Sequence, residues 1–170
     1  GDITAGFEVE CGGDLSVSGS IENGARVKCG GCLKVGKGIF GQKAAVFSAK
    51  DSEIGFMQDS RIETLGSLHV HGYIQDSEVY CRGKAWVEGK SVRGQRHGAV
   101  MGGRICTMEG AKLHSAGTPL ARTFIVCGID DRLVEKAKNA EKVLSVMAKR
   151  MLRLQNSLGF NPTAPDAVQK

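Results

Sequence analysis

The chain has 170 residues, of which 24 are glycine, six are cysteine and three are proline, and its formal net charge at pH 7 is +5. Glycine is about twice as frequent as in an average protein, but no Gly-X-Y period is present, which excludes a collagen-like chain. Hydrophobic residues at 41% beside charged residues at 24% exclude wholesale disorder, and no apolar run approaches the roughly 20 residues of a membrane-spanning helix.

Glycine and charge divide the chain into two parts. All but one of the glycines lie in residues 1–128, and the exception is Gly159. Residues 1–130 carry 15 basic and 14 acidic side chains, whereas residues 131–170 carry eight basic and four acidic ones. We therefore predict a glycine-rich domain at 1–130, a helix at 131–158 and a disordered tail at 159–170. The near-neutral domain lacks the basic charge that nucleic-acid binding needs.

Residues 1–130 repeat a pattern of about 17 residues. One aliphatic position recurs at spacings of 18, 19, 16 and 17 residues, in Val9, Val27, Val46, Ile62 and Val79. Small residues follow two positions later and mostly aliphatic residues follow six and eight positions later, an alternation typical of strands buried on one face. Such short units bury apolar side chains only by stacking, so we predict a parallel β-solenoid of about seven coils of 16–20 residues. The chain opens in mid-repeat, so we expect an N-terminal continuation or a covered first edge.

The outward positions of these coils predict a polar and aromatic surface. His69 and His71 share one face of a strand, and the repeat aligns Glu53, His69 and Trp86, with Glu88 next to His71. Large exposed aromatic rings often mark contact surfaces, so Trp86, His69, His71 and Glu53 form a candidate partner surface. A His-His-Glu metal site is the alternative for the same residues, and we favour solvated imidazoles over it.

Basic residues gather in the longest coil. Arg93, Arg96, His97 and Arg104 lie in a glycine-rich stretch where backbone N–H and guanidinium groups can contact an anion. We favour the alternative interpretation, in which this stretch is a wide, solvated turn that binds no anion.

Two further motifs match the signatures of a dinucleotide site and of a metal or redox site, but the surrounding sequence does not fit either kind of site. Residues 36–41 read G-x-G-x-x-G, but strand-like repeat follows where a dinucleotide site needs a helix. Cys29 and Cys32 form a single C-x-x-C pair, and Cys29 belongs to the column of small inward residues, so we favour core packing over metal or redox use. We therefore predict no cofactor, no metal and no catalytic residue.

The C-terminal part predicts an amphipathic helix that stops at Gly159. Its apolar residues follow alternating steps of four and three, the a/d seam of a coiled coil; they are Leu133, Ala137, Ala140, Leu144, Met147, Met151, Leu154 and Leu158. Such a narrow stripe requires a partner helix, and none follows residue 159. We expect self-association with another subunit or pairing with a returning helix outside this sequence, and packing along the solenoid is the remaining alternative.

Several segments resemble one known family. Residues 12–15 (GGDL), 21–24 (IENG), 57–60 (MQDS) and 74–77 (IQDS) are similar to coils of the flagellar assembly protein A (FapA) β-solenoid family. The closing segments at 98–103 (GAVMGG) and 123–130 (TFIVCGID) are similar as well. The resemblance covers about residues 1–130, and the following helix also fits the family.

The resemblance implies a right-handed, single-stranded parallel β-helix in a bacterial cytoplasmic protein without known catalysis. It also implies a role in flagellar assembly or cell-pole organisation, and we predict a scaffold with protein partners and no membrane insertion. The related β-solenoid of the division inhibitor MinC is an alternative, because one fold serves several roles. A six-residue recurrence from Ile3 to Ile39 also suggests hexapeptide-repeat acyltransferases, with His97 as general base, but the recurrence breaks after Ile39.

Overall fold

The computed structural model describes residues 1–92, 95–97 and 99–157, with the side chains of all of these except 90–92, 95–97, 99 and 131. The chain divides into two compact units, with the boundary between Asp130 and Asp131. In the described residues the first unit consists of β-strands and the second of a single helix, α1 (Asp131–Ser157).

Eighteen strands lie in the described part of the first unit, and nearly all of them pair in parallel with the equivalent strand of the next coil. They are β1 (Glu8–Cys11), β2 (Leu15–Val17), β3 (Arg26–Cys29), β4 (Leu33–Phe40), β5 (Ala45–Ser48), β6 (Ser52–Gln58), β7 (Arg61–Thr64), β8 (Leu68–Val70), β9 (Ile74–Gln75), β10 (Glu78–Cys81), β11 (Lys84–Val87), β12 (Lys90–Val92), β13 (Gln95–His97), β14 (Ala99–Met101), β15 (Gly103–Thr107), β16 (Gly110–Leu113), β17 (Ser115–Ala116) and β18 (Thr123–Cys127).

The parallel strands form three rows along the solenoid. Row 1 contains β1, β3, β5, β7, β10, β15 and β18; row 2 contains β2, β4, β6, β8, β11 and β16; row 3 contains the second halves of β4 and β6 with β9, β14 and β17. The long strands β4 and β6 belong to rows 2 and 3 because a register shift between Val35 and Gly38 carries both around the corner. The seven stacked strands of row 1 correspond to about six turns of the solenoid. This arrangement confirms the predicted parallel β-solenoid.

Like residues stack on like within each row. The row 1 column is Val9, Val27, Val46, Ile62, Val79, Ile105 and Ile125, and the row 3 column begins with Ile3, Ile21, Ile39, Met57, Ile74 and Val100. Most of these side chains are fully buried, and burying each one contributes roughly 1.5–3 kcal/mol. The core of the first unit is therefore a continuous stack of aliphatic side chains.

Carboxylates bind successive coils together at the corner before row 2. Oδ1 of Asp14 accepts a hydrogen bond of 2.7 Å from the backbone N–H of Cys32, and Oδ1 of Asp51 accepts one of 2.7 Å from that of Ser67. Gly31 packs so closely against the Asp14 carboxylate that a Cβ there would collide with it. These contacts explain why glycine stands at position 31, beside the carboxylate of Asp14.

The chain bends at Asp59 and Asp76. Both residues have left-handed backbone conformations, with φ of 48° and 43°. Aspartate tolerates this conformation better than most non-glycine residues, and it takes the place that Gly41 and Gly102 occupy in other coils.

One coil departs from the predicted length of at most 20 residues. Between the aligned residues Val79 and Ile105, the strands β12 and β13 pair in an antiparallel hairpin, with Lys90 opposite His97 and Val92 opposite Gln95. The hairpin is inserted between β11 and β14, so this coil is longer than the sequence pattern predicts.

The second unit is a helix of 27 residues, about 40 Å long. The seam residues Leu133, Ala137, Ala140, Leu144, Met147, Met151 and Leu154 are all exposed, and Leu158 lies outside the described residues. The predicted tail at 159–170 also lies outside them. None of the described helices combines the length and the apolar character that crossing a bilayer requires.

Candidate functional site

The outward side chains of row 2 form one aligned column. Strand pairing places Lys34 beside Glu53, Glu53 beside His69, His69 beside Trp86 and Trp86 beside Lys112. Neighbouring positions in each strand point inward, so these five side chains share the outer face. We call them the row 2 column.

His71 and Glu88 lie next to this column, directly after β8 and β11. The backbone N–H of His71 donates to the carbonyl of Ile54 at 3.0 Å, and that of Glu88 donates to the carbonyl of Val70 at 2.9 Å. These two bonds continue the parallel ladder by one residue, and they place the carboxylate of Glu88 beside both histidines.

The imidazole of His71 bridges two carboxylates. Its Nε2 lies 2.9 Å from Oε1 of Glu53, and its Nδ1 lies 3.1 Å from Oε2 of Glu88. On the other side of Glu53, Nζ of Lys34 lies 3.0 Å from Oε2. A neutral imidazole has one N–H, so both bonds of His71 can form with an N–H donor only when the ring is protonated.

This network shifts the pKa of its members in opposite directions. The hydrogen bond to Glu53, followed by that to Glu88, raises the pKa of His71 above its usual value. The hydrogen bond from His71, followed by that from Lys34, lowers the pKa of Glu53, and the hydrogen bond from His71 likewise lowers the pKa of Glu88. The network therefore favours the imidazolium between two carboxylates.

His69 is held by two aromatic contacts. Its ring stacks on Trp86 with 4.6 Å between centroids and 15° between planes, and the ring of His71 lies 4.3 Å away. Nε2 of His69 is 3.2 Å from Oε1 of Glu88, yet it forms no hydrogen bond with any described residue. This buried nitrogen therefore lies within ion-pair distance of a carboxylate oxygen.

Trp86 completes the surface. Its side chain is 42% exposed, and Nζ of Lys112 lies 4.9 Å from the ring centroid, within cation–π range. His69 and Lys112 thus flank the indole from the two neighbouring strands.

The Flagellar Assembly Protein A (FapA) beta solenoid domain family matches residues 1–170. The chain belongs to the FapA family. The predicted resemblance is thereby confirmed, and the match extends through the helical unit of this FapA chain. No curated protein and no solved structure matches the chain.

Other candidate residues of the FapA chain lie apart from the row 2 column. Arg104 is in β15, aligned with Glu78 and Phe124 in row 1. Arg96 and His97 belong to β13, with side chains outside the described set, and Arg93 lies outside the described residues. The anion contact therefore stays a prediction.

The C-x-x-C pair of the FapA chain contains one buried and one exposed thiol. Cys29 is buried with Sγ 3.1 Å from the carbonyl oxygen of Gly13, whereas Cys32 is exposed. Among the described residues, the one group of three or more side chains arranged to hold a metal ion is His69, His71 and Glu88.

Sequence reasoning did not single out Lys34 and Lys112 as members of the surface. Both residues follow from the same column alignment that brings Glu53, His69 and Trp86 together. The alignment of the repeats contained this information. Extending the column by one coil before Glu53 and by one coil after Trp86 adds Lys34 and Lys112.

Proposed function

We propose that this FapA domain is a non-enzymatic scaffold of the bacterial cytoplasm that acts in flagellar assembly or at the cell pole. The family match supports the link to flagellar assembly. The observation that carries the scaffold role is the interior of the solenoid, where stacked aliphatic side chains fill the described coils. Such a body presents outward side chains at fixed spacing and works as a rigid spacer.

The row 2 column is the proposed partner surface of the scaffold. Trp86 is a large, partly exposed ring between a cation and an imidazole. Tryptophan side chains of this kind are frequent anchors at protein interfaces, because they bury a large area and still offer one N–H donor. Charged neighbours at Lys34 and Glu53 supply the polar rim.

The helical unit is proposed to associate with the same helix of a second copy. Its 27 residues correspond to nearly four heptads, and Leu133, Leu144 and Met151 on the seam are exposed. A second copy offers an identical a/d stripe, and pairing the two stripes removes both from water.

The cellular role is tested in a flagellated bacterium that carries this chain. Deleting the gene should lower the number of flagella per cell or misplace them, and Trp86→Ala should reproduce much of that defect in a folded protein. Phe7→Ala is the matched control, because Phe7 is an exposed aromatic residue outside the row 2 column. Normal flagellar number and position in the deletion strain would contradict the proposed function.

A further inference from the structure

We propose that His69, His71 and Glu88 form a binding site for one divalent transition-metal ion on the outer face of the solenoid. The proposal is independent of the scaffold role, because it concerns what these three side chains bind. It revises the prediction of solvated imidazoles on the strength of four observations.

The first observation is the spacing of the ligand atoms. Nε2 of His69 and Nδ1 of His71 lie 3.2 and 3.1 Å from the two oxygens of Glu88, and one ligand atom from each residue lies within 4.8 Å of the others. Two ligands at about 2.0–2.1 Å from a tetrahedral zinc ion are roughly 3.3 Å apart. The carboxylate of Glu88 already lies at coordination spacing from both rings.

The second observation is the unused nitrogen of His69. Nε2 is buried and has no hydrogen-bond partner among the described residues. Leaving a buried polar atom unpaired is unfavourable, and the stacking of the ring on Trp86 holds it in that orientation. A metal ion between this nitrogen and Glu88 satisfies both groups.

The third observation is the carboxylate behind His71. When Nδ1 coordinates the ion, the Nε2–H is left to donate to Oε1 of Glu53 over 2.9 Å. Metal-bound histidines commonly donate their second N–H to a carboxylate, which fixes the tautomer and the ring orientation. Lys34 holds Glu53 in place through its own ion pair. Coordination releases the Nδ1 proton to solvent.

The fourth observation is the composition of the set. Two imidazoles and one carboxylate match zinc and related transition metals, whereas calcium and magnesium prefer oxygen ligands alone. Three protein ligands leave a coordination position for water or another donor. The side chains of His69 and Glu88 are 29% and 33% exposed, so an ion can reach the site. The bound ion would link His69 in β8 to Glu88, which directly follows β11.

Zinc titration of the full chain, first stripped of metal with a chelator, tests the site. Calorimetry should show one high-affinity equivalent of Zn²⁺, and the melting temperature of the solenoid should rise with added zinc. Glu88→Gln and His69→Gln each remove one ligand and should weaken binding at least about tenfold, and Glu53→Gln should weaken it by about 10–100-fold. His114→Gln and Cys32→Ser, exposed potential ligands outside the site, should leave the affinity unchanged.

Two further measurements distinguish the loss of a zinc ligand from the loss of the folded structure. Histidine ring NMR of the native chain should show zinc on Nε2 of His69 and Nδ1 of His71, and it needs no variant. Melting curves in chelator establish that the Gln variants are folded. The proposal is overturned if the native chain binds no zinc, if both Glu88→Gln and His69→Gln bind it as tightly as the native chain, or if Cys32→Ser abolishes binding.

Discussion

One inward column of row 1 consists of the thiols and hydroxyls of small residues. Cys29 and Cys81 are buried in it, and Ser48 and Thr64 fill the same position in the coils between them. The hydroxyls are satisfied, since Oγ of Ser48 lies 2.8 Å from Oγ1 of Thr64. Cysteine here acts as a small core residue, since Sγ of Cys81 meets the carbonyl oxygen of Gly66 at 3.2 Å.

Cys81 should therefore resist alkylation in the folded chain. Burial raises the pKa of its thiol to about 11, so about 0.1% of it is the reactive thiolate at pH 8. The exposed Cys32 is the internal comparison. Brief treatment with iodoacetamide followed by peptide mass spectrometry should label Cys32 and spare Cys81, and unfolding in urea should abolish the difference. Equal labelling of the two thiols in the native protein would show that the column is open to solvent.

The coil is the element on which stability depends, because each strand buries one face against the coils before and after it. Val27 lies in β3 between Val9 and Val46 and is buried, whereas its neighbour Lys28 points outward and pairs with Glu10 at 2.7 Å. Adjacent positions of one strand thus differ only in the face on which they lie.

Val27→Asp should destabilise the solenoid by about 3 kcal/mol or more, because it buries a carboxylate without a partner. Lys28→Asp introduces the same side chain one residue away and should lower stability by no more than about 1 kcal/mol, from the lost surface pair and the new repulsion with Glu10. Urea unfolding followed by circular dichroism measures both. Similar losses in the two variants would mean that the inward column is misassigned.

The stacking pattern was predictable from sequence because it depends on residue type at nearly constant spacing. The columns through Val27 and Leu33 follow from spacings of 16–19 residues. The hairpin of β12 and β13 was not predictable, because the length of the coil indicates that residues are inserted but not how they pair.

The candidate site was predictable only in part. Alignment of coils brings Glu53, His69 and Trp86 onto one face, and it places Glu88 next to His71. It does not indicate that each oxygen of Glu88 meets a different imidazole, or that His69 stacks on Trp86, because those contacts depend on side-chain rotamers. The sequence alone therefore favoured solvated imidazoles, and the proposed metal site depends on these side-chain contacts.

At the scale of the whole molecule, the two units differ in the burial of their apolar residues. The solenoid unit stacks its aliphatic side chains inside its own coils. The helical unit leaves Leu144, Met147 and Met151 exposed at 66%, 57% and 62%. A helix with this much apolar surface gains most of its stability from packing against a partner.

The double substitution Leu144→Asp with Met151→Asp should reduce the assembly state of the full chain. It places carboxylates at the centre of the proposed helix interface, where they lose solvation without gaining a partner. Asn139→Asp with Ser145→Asp adds the same negative charge away from the seam and should leave assembly unchanged. Sedimentation velocity should show a dimer or larger species for the native chain and this control, and a monomer for the seam variant. The β-sheet signal of the solenoid should persist in all three proteins. A seam variant that sediments and melts like the native chain would remove the helix from any role in self-association.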